Sequence, residues 1–339
     1  MKTDQIKYDD LSLPIQEESF YNDPYGAKNV LAKYCGYNNN LPFINDFNWQ
    51  HGWCPDYTFT HPILAAWAPY KKGTHCFVSK KFDEKYLHSF NYDTAIAIGL
   101  AVCYVPDNFF PRIPNSLLVM PVHSVDFTTH ESWKFKDYVN DIMKIADQFD
   151  RIVVCVHPSC FKKGYWVNEF KSAGFEVIEG IDGTKTNALI KLQALMSSFE
   201  YVTTNGFGSH LSYAAYWGAK PSIYGTYAEY SVADLSADPF YDDYPNELVS
   251  IVNSLSKKVL YENYPQLFIN PKEAKLEENW GKYEVGFDCK KSPKEIKKLL
   301  GWTLFGWLKF LFSINGLIYM FSTITPVFIK KIYRTSYLG

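Results

Sequence analysis

The sequence predicts an α/β chain made of two parallel-sheet units followed by a basic and apolar C-terminal segment, and three observations predict it. Between Arg151 and Gly225, strand-like cores at 152–156, 176–178, 201–204 and 221–224 alternate with helical patterns. That alternation argues for βαβ crossovers and hence a parallel sheet. A run with three prolines and no periodicity, 105–114, separates this region from an earlier set of apolar stretches and reads as an interdomain linker. The length, 339 residues, holds two domains of ordinary size.

Taken in order, residues 1–45 are polar, rich in Asn and Tyr and weakly periodic, with a helix expected over 27–35. Apolar stretches at 57–67, 74–78 and 95–104 supply the first unit, with a short helix over 82–90. The second unit opens with a continuous apolar strand, 116–121, that ends in His123-Ser124. A helix over 131–149 follows, in which Trp133, Tyr138, Ile142 and Ile145 approximate one face. After the 151–225 segment, residues 226–298 read as a helical return with acidic loops, and no internal repeat is present.

The C-terminus differs in kind. Residues 310–329 carry no charge, a run of twenty that is long enough to span a bilayer. Ser313, Asn315, Gly316, Ser322, Thr323, Thr325 and Pro326 dilute it, and Lys309 interrupts the apolar stretch before it. Lys290, Lys291, Lys294, Lys297 and Lys298 flank it on one side, and Lys330, Lys331 and Arg334 on the other. Positive charge on both flanks gives a spanning helix no orientation, and it fits a segment lying in the interface of an anionic membrane. A spanning helix and a helix buried on the body are the alternatives. The expected organisation is therefore 1–112, 113–285 and a membrane-associating 286–339.

Composition narrows the function classes. A net charge of −2 gives no pull toward nucleic acid. An aromatic fraction of 18% suits sugar and lipid-interface contacts, although filling cores is the commoner use of such rings. The seven cysteines form no CxxC pair, and the polar first ten residues do not read as a signal peptide, so reduced thiols in a cytoplasmic setting are expected. Cys155, His157 and Cys160 lack a fourth ligand near in sequence, which disfavours zinc.

The chemistry-bearing residues cluster at predicted strand ends, where ligands bind in parallel sheets. His123-Ser124, His157-Pro158 and Asn205-Gly206-Phe207-Gly208-Ser209-His210 each follow a strand, and Gln50-His51-Gly52 lies in the first unit. The last strand-end motif opens a helix expected over 209–217, whose free N–H groups favour an anion. Gly206 and Gly208 let the backbone approach that anion closely. A phosphate-bearing ligand, a nucleotide-activated donor, is the first reading. Any single histidine here is equally well a structural residue, and Ser209 equally well an N-cap. A transfer to a hydroxyl also needs a base, and His51 and Asp56 are the best placed candidates, with Asp93 and Asp126 behind them. Asp182-Gly183 is most simply a turn, one that can also reach a nucleotide base. Neither GxxxxGK[ST] nor a post-strand GxGxxG is present, and Asp9-Asp10 and Asp242-Asp243 look solvated. A metal-independent mechanism without cofactor is the expectation.

Two α/β units joined by a Pro-rich linker resemble the GT-B fold of glycosyltransferases, with its two Rossmann-like domains. His157-Pro158 together with the 205–210 motif resembles the HP and Ser-containing motifs of bacterial transferases that use CMP-activated sugars, the sialyltransferases and Kdo transferases among them. Gln50-His51-Gly52 and His157-Pro158 also resemble motifs of CDP-glycerol glycerophosphotransferases. The stretch 164–224 is similar to proteins encoded in surface-polysaccharide clusters. The resemblance covers roughly residues 48–226. It implies that His157 and Ser209 bind the donor phosphate, that Asn205 and His210 assist, and that His51 sits by the acceptor. The sequence departs from the sialyltransferases in lacking their acidic N-terminal motif. It departs from the glycerophosphotransferases in having His210 after Ser209 rather than a second serine. The resemblance implies a glycosyltransferase of capsule or lipopolysaccharide synthesis, working on a glycan or lipid-linked glycan at the cytoplasmic face of the bacterial inner membrane. Transfer of a polyol phosphate from a CDP-polyol, or a non-catalytic membrane-tethered scaffold, are the alternatives.

Overall fold

The computed structural model of the chain describes residues 24–37, 47–58, 75–107, 110–124, 130, 133–183, 185–238 and 240–313. Two parallel sheets organise them. The smaller has three strands in the order β1 (Phe47–Trp49), β2 (His75–Val78), β3 (Ala95–Ala97). The larger is built from β4 (Ile113–Val119), β5 (Arg151–Val156), β6 (Glu176–Glu179), β7 (Phe199–Thr204) and β8 (Lys220–Ile223), in the spatial order β6-β5-β4-β7-β8. From β4 the chain crosses outward one way through β5 and β6, then returns and leaves from β7 the other way to β8. The carboxyl ends of β4 and β7 therefore flank the switch point of the sheet, the place where such sheets form a crevice.

Helix α1 (Ala27–Tyr34) precedes β1, and α2 (Lys81–Ser89) joins β2 to β3. Helices α3 (Phe135–Met143), α4 (Pro158–Lys163), α5 (Val167–Ser172), α6 (Ala188–Ser198) and α7 (His210–Tyr216) make the crossovers of the larger sheet. The central strands are continuous apolar runs because both faces are covered: Val153–Val156 and Leu117–Val119 are all buried. Each such side chain contributes about 1.5–3 kcal/mol relative to exposure. At the edge, β6 instead presents Glu176 and Glu179 to solvent, which discourages pairing with another chain. Pro114 lies in β4 rather than in the linker. It sits where the β4–β7 register shifts, between Ile113 and Leu117, a position that spares a proline the missing N–H.

Four helices follow β8: α8 (Val232–Leu235), α9 (Phe240–Asp243), α10 (Pro245–Ser254) and α11 (Lys257–Asn263). The chain then returns to the first unit through α12 (Glu278–Glu284) and α13 (Pro293–Leu299). Leu100 N–H donates to the Val285 carbonyl at 2.8 Å, Lys291 N–H to the Tyr104 hydroxyl at 2.9 Å, and Tyr34 hydroxyl to the Lys291 carbonyl at 2.9 Å. Val285, Ile296, Leu300 and Trp302 are buried in one cluster with Leu31, Phe77 and Leu100. The first part of the expected membrane-associating segment, 286–302, is thus a packed part of the body. Lys294 and Lys298 are exposed, Lys290 and Lys297 lie over the rings of Tyr34 and Tyr37, and the apolar residues join a core cluster that includes both sheets.

Helix α14 (Leu304–Leu311) behaves otherwise. Leu304, Phe305 and Phe312 are 81%, 77% and 87% exposed, while Phe310 is buried. Among the described residues no helix is long and apolar enough to cross a membrane. The rest of the expected membrane segment, 314–339, lies outside the described residues, as do Asp9, Asp10, Asp126 and positions 59–67 of an expected apolar stretch.

Candidate functional site

The first contributor is the loop leaving β1. Gln50 is buried, its Oε1 accepting from Ser79 N–H at 2.8 Å and its Nε2 donating to the Gly52 carbonyl at 3.1 Å. That side chain closes the turn and fixes the backbone that carries His51. Trp53 N–H, next along, donates to Ser209 Oγ across the two units at 3.0 Å. A Cβ on Gly52 would stand 2.4 Å from Ser209 Oγ, so only glycine admits this contact. Ser209 holds the N-cap position of α7, but its side chain makes no capping hydrogen bond there and instead ties the second unit to the His51 loop.

The other contributors come from the carboxyl edge of the larger sheet. After β4, Val122 N–H donates to Asn205 Oδ1 at 3.1 Å, and Asn205 Nδ2 donates to the Thr226 carbonyl at 3.4 Å. A Cβ on Gly206 would stand 2.6 Å from the Val122 side chain. Asn205 and Gly206 thus bind together the exits of β4, β7 and β8 and do not line the pocket. Ser124 is buried, its N–H donating to Cys160 Sγ at 3.0 Å and its Oγ accepting from Lys163 Nζ at 3.0 Å. Pro158 is buried as the first residue of α4, where a proline lacks nothing.

His157 caps α4, with Nδ1 3.3 Å from Ser159 N–H and 2.8 Å from Ser159 Oγ, which itself donates to the Ser124 carbonyl at 2.5 Å. Nδ1 is thereby committed to the loop and Nε2 is the nitrogen left over. The His123 ring stacks on His157, centroids 4.2 Å apart and planes 21° apart. His210 folds back over Gly208, where a Cβ would lie 2.3 Å from the ring, and its Nε2 is buried with no hydrogen-bond partner.

His51, His123, His157 and His210 line one pocket, together with Gly208 and Ser209. Its enclosed cavity measures about 140 Å³, smaller than the usual small-molecule site, and its mouth opens to solvent. Its remaining walls are Cys155, weighed above only as a zinc ligand, and Tyr25, Met120, Pro121, Gly180, Ile181, Leu192 and Tyr213, which the sequence reading had not singled out. Tyr25 is a non-glycine residue at φ 59°, held there because its N–H donates to the Gly183 carbonyl at 2.7 Å. Its ring lies 5.2 Å from His51. Strain of this kind persists only where surrounding structure imposes it. The expected turn at Asp182-Gly183 is present, and its role is to seat Tyr25.

Electrostatically the pocket is neutral. Among the described residues that line it there is no Lys, Arg, Asp or Glu. Burial lowers all four imidazoles. His157 and His210 are pushed down to about 3, with His123 adding to the effect on both. His51 is lowered by burial and by His123, and His123 by burial against a hydrogen bond to Ser124 that raises it. His51 and His123 keep a solvent-exposed edge at the mouth, though protein surrounds them on the other sides.

Asp56 does not join this group. Its carboxylate pairs with Lys80 and accepts from the Tyr283 hydroxyl at 3.1 Å. Lys80 is itself buried and pairs with Glu284 at 2.8 Å, and Glu284 also accepts from Trp53 Nε1 at 2.9 Å. Asp93 is exposed in the turn before β3, at the opposite end of that sheet from His51. Among the described residues no group of three or more His, Cys, Asp or Glu is placed to hold a metal ion.

No family model matches the sequence, and no curated protein does. Among solved structures, the chain is similar to the UDP-GlcNAc 2-epimerase of Neisseria meningitidis, at 12% identity and TM-score 0.34 over 67% of this chain and 60% of that one. The UDP-GlcNAc 2-epimerase of Methanocaldococcus jannaschii gives 14% identity and TM-score 0.35 over 68% and 62%. The pneumococcal O-GlcNAc transferase GtfA gives 13% and 0.33 over 67% and 44%. The chain thus spans about three fifths of the length of these epimerases. None of these likenesses assigns an activity to it.

Proposed function

We propose that the chain is a metal-independent GT-B glycosyltransferase that moves a sugar from a nucleotide-activated donor, a CMP-linked one favoured, to a glycan hydroxyl in surface-polysaccharide synthesis. The observation that carries this reading is the meeting of four histidines on one pocket, His51 from the first unit and His123, His157 and His210 from the switch-point edge of the second. A pocket shared by two units can hold acceptor on one side and donor on the other. In the reaction, neutral His51 takes the acceptor proton as the oxygen attacks the anomeric carbon. The bond from that carbon to the donor phosphate breaks with its electrons on the phosphate oxygen. His157, His210 and Ser209 stabilise the departing phosphate.

A donor screen by thermal shift tests this. CMP, CDP, UDP and their sugar conjugates are compared on the chain and on His157→Ala. A ligand at 100 times its dissociation constant stabilises the fold by about 2.7 kcal/mol. Selective stabilisation by a cytidine nucleotide, lost in the variant, is the expected result. No shift with any nucleotide sinks the donor reading and leaves a non-catalytic scaffold.

The same proposal places the chain peripherally on the cytoplasmic face of the bacterial inner membrane, with a lipid-linked glycan as acceptor. The exposed apolar side chains of α14, next to the lysines of α13, support it. Co-sedimentation with anionic vesicles is expected, weakened roughly tenfold or more when Phe305 and Phe312 are both changed to Glu, since interfacial binding scales with buried apolar area. Equal binding by chain and variant removes α14 from that role.

A further inference from the structure

We infer that the pocket acquires its positive charge only as the ligand arrives, a phosphate group entering together with a proton shared among His123, His157 and His210. This deepens the reading above and rests on it. Three features of the pocket lead there.

The first is what the pocket lacks. A phosphate dianion in a concave site needs compensating charge, and among the described residues the lining offers no fixed cation. The titratable groups that face it are His51 from the β1 exit, His123 from β4, Cys155 and His157 from β5, and His210 and Tyr213 from α7. Tyr25 faces it from the segment before α1. Asp182, at the β6 exit, acts on His157 from outside the lining. Burial holds the Cys155 thiol up at about 12 and raises both tyrosines, so none of these three supplies charge. Only the imidazoles can change charge near neutrality.

The second is how the rings are arranged. His123 and His157 lie face to face at 4.2 Å, where two imidazolium ions repel each other unless an anion stands between or beside them. The free site therefore disfavours the charged forms through burial and through this mutual contact. A bound dianion reverses both effects.

The third is His210 Nε2, a buried nitrogen without a partner. A buried polar atom left unpaired is costly, so a ligand atom that pairs with it is favoured. Phosphate oxygens only accept, so a ring nitrogen turned to them must carry a proton, and a doubly protonated ring gives the stronger, charge-assisted bond.

Calorimetric titration of the full chain with CMP tests the inference. It is run in two buffers of different ionisation enthalpy and between pH 7.0 and 8.5, where the phosphate, with a second pKa near 6, is already a dianion. Uptake of roughly one proton is expected, so that affinity weakens by about tenfold per pH unit as pH rises. His157→Gln and His123→Gln, checked for an unchanged melting transition, should each flatten that slope. A CMP affinity that is constant over the range, with no buffer dependence of the heat, overturns the inference and leaves the nucleotide reading intact. Failure of CMP, CDP and UDP to bind at any pH removes that reading, and the inference with it.

Discussion

Replacing His51 by Gln should lower kcat by about 10²–10⁴-fold while changing nucleotide affinity only a few-fold. His51 is the one imidazole contributed by the first unit, across the pocket wall from the three that the larger sheet supplies. Burial and the neighbouring His123 lower its pKa below the ordinary 6.5, so at neutral pH it is unprotonated and able to accept the acceptor proton. A glutamine of similar size keeps the turn, because the bonds that fix it belong to Gln50 and Gly52 rather than to the His51 ring. The loss should therefore appear in turnover rather than in donor binding. The pH profile separates this role from a structural one. A base with a lowered pKa loses activity only as pH falls below its own value, so the acid limb of kcat/KM should lie under pH 6.5 and vanish in the variant's residual rate. The alkaline limb should follow the loss of ligand-coupled protonation and persist in the variant. On this proposal the four histidines begin alike and neutral, and the donor's charge divides them into one base and a trio that shares the proton taken up, the separation that acid–base chemistry requires. A kcat within threefold of the parent chain would remove His51 from catalysis.

Much of this site was legible because it lies at the ends of strands that announce themselves. The runs that became β5 and β7 are β-branched and bounded by His-Pro and Asn-Gly, so the polar residues that follow could be placed on one sheet edge without coordinates. Convergence of His123, His157 and His210 follows from the parallel topology of the larger sheet, whereas that of His51, which leaves the smaller sheet, does not. What could not be read were features made by distant contact. The three residues of β1 show no alternation and are only half buried, so no periodic signal marks them. Tyr25 reaches the pocket through a left-handed backbone that Gly183, far along the chain, holds in place. Asn205 looked like a ligand-binding residue, yet its amide joins three strand exits. Asp56 looked like a base, and the partner that occupies it, Lys80, is visible only once β2 ends beside it. The same holds for 286–302, whose lysines suggested a membrane surface while Ile296, Leu300 and Trp302 join a core cluster that includes both sheets.

Lys80→Met should destabilise the chain by about 3–5 kcal/mol, the usual cost of leaving a buried charge without its partner. The Lys80 ammonium is 5% exposed and pairs with Asp56 and Glu284, and Glu284 is equally buried. Asp83 lies beside them, its Oδ2 accepting from Ser79 Oγ at 2.7 Å and from Lys80 N–H at 3.1 Å, while Oδ1 is buried without a partner. Burial raises the Asp83 carboxyl to about 6, and the Lys80 charge is the main influence that holds it down. Removing that charge raises it further. A carboxyl whose pKa is higher in the folded chain than in the unfolded one contributes stability at low pH that is lost as pH rises through the folded value. The deficit of the variant should therefore be smaller at pH 5 than at pH 8, and adding Glu284→Gln should recover part of it at pH 8. Denaturant titrations at the two pH values measure both effects. The consequence extends to the pocket, since Glu284 ends α12 and receives Trp53 Nε1–H, and Trp53 N–H is the group that holds Ser209. The buried charges fasten the returning C-terminal chain to the loop that presents His51, so nucleotide affinity should fall in Lys80→Met and recover along with stability in the double variant. A deficit that is equal at both pH values would remove the titration of Asp83 from the effect, and no deficit at either pH would mean that the network holds nothing together.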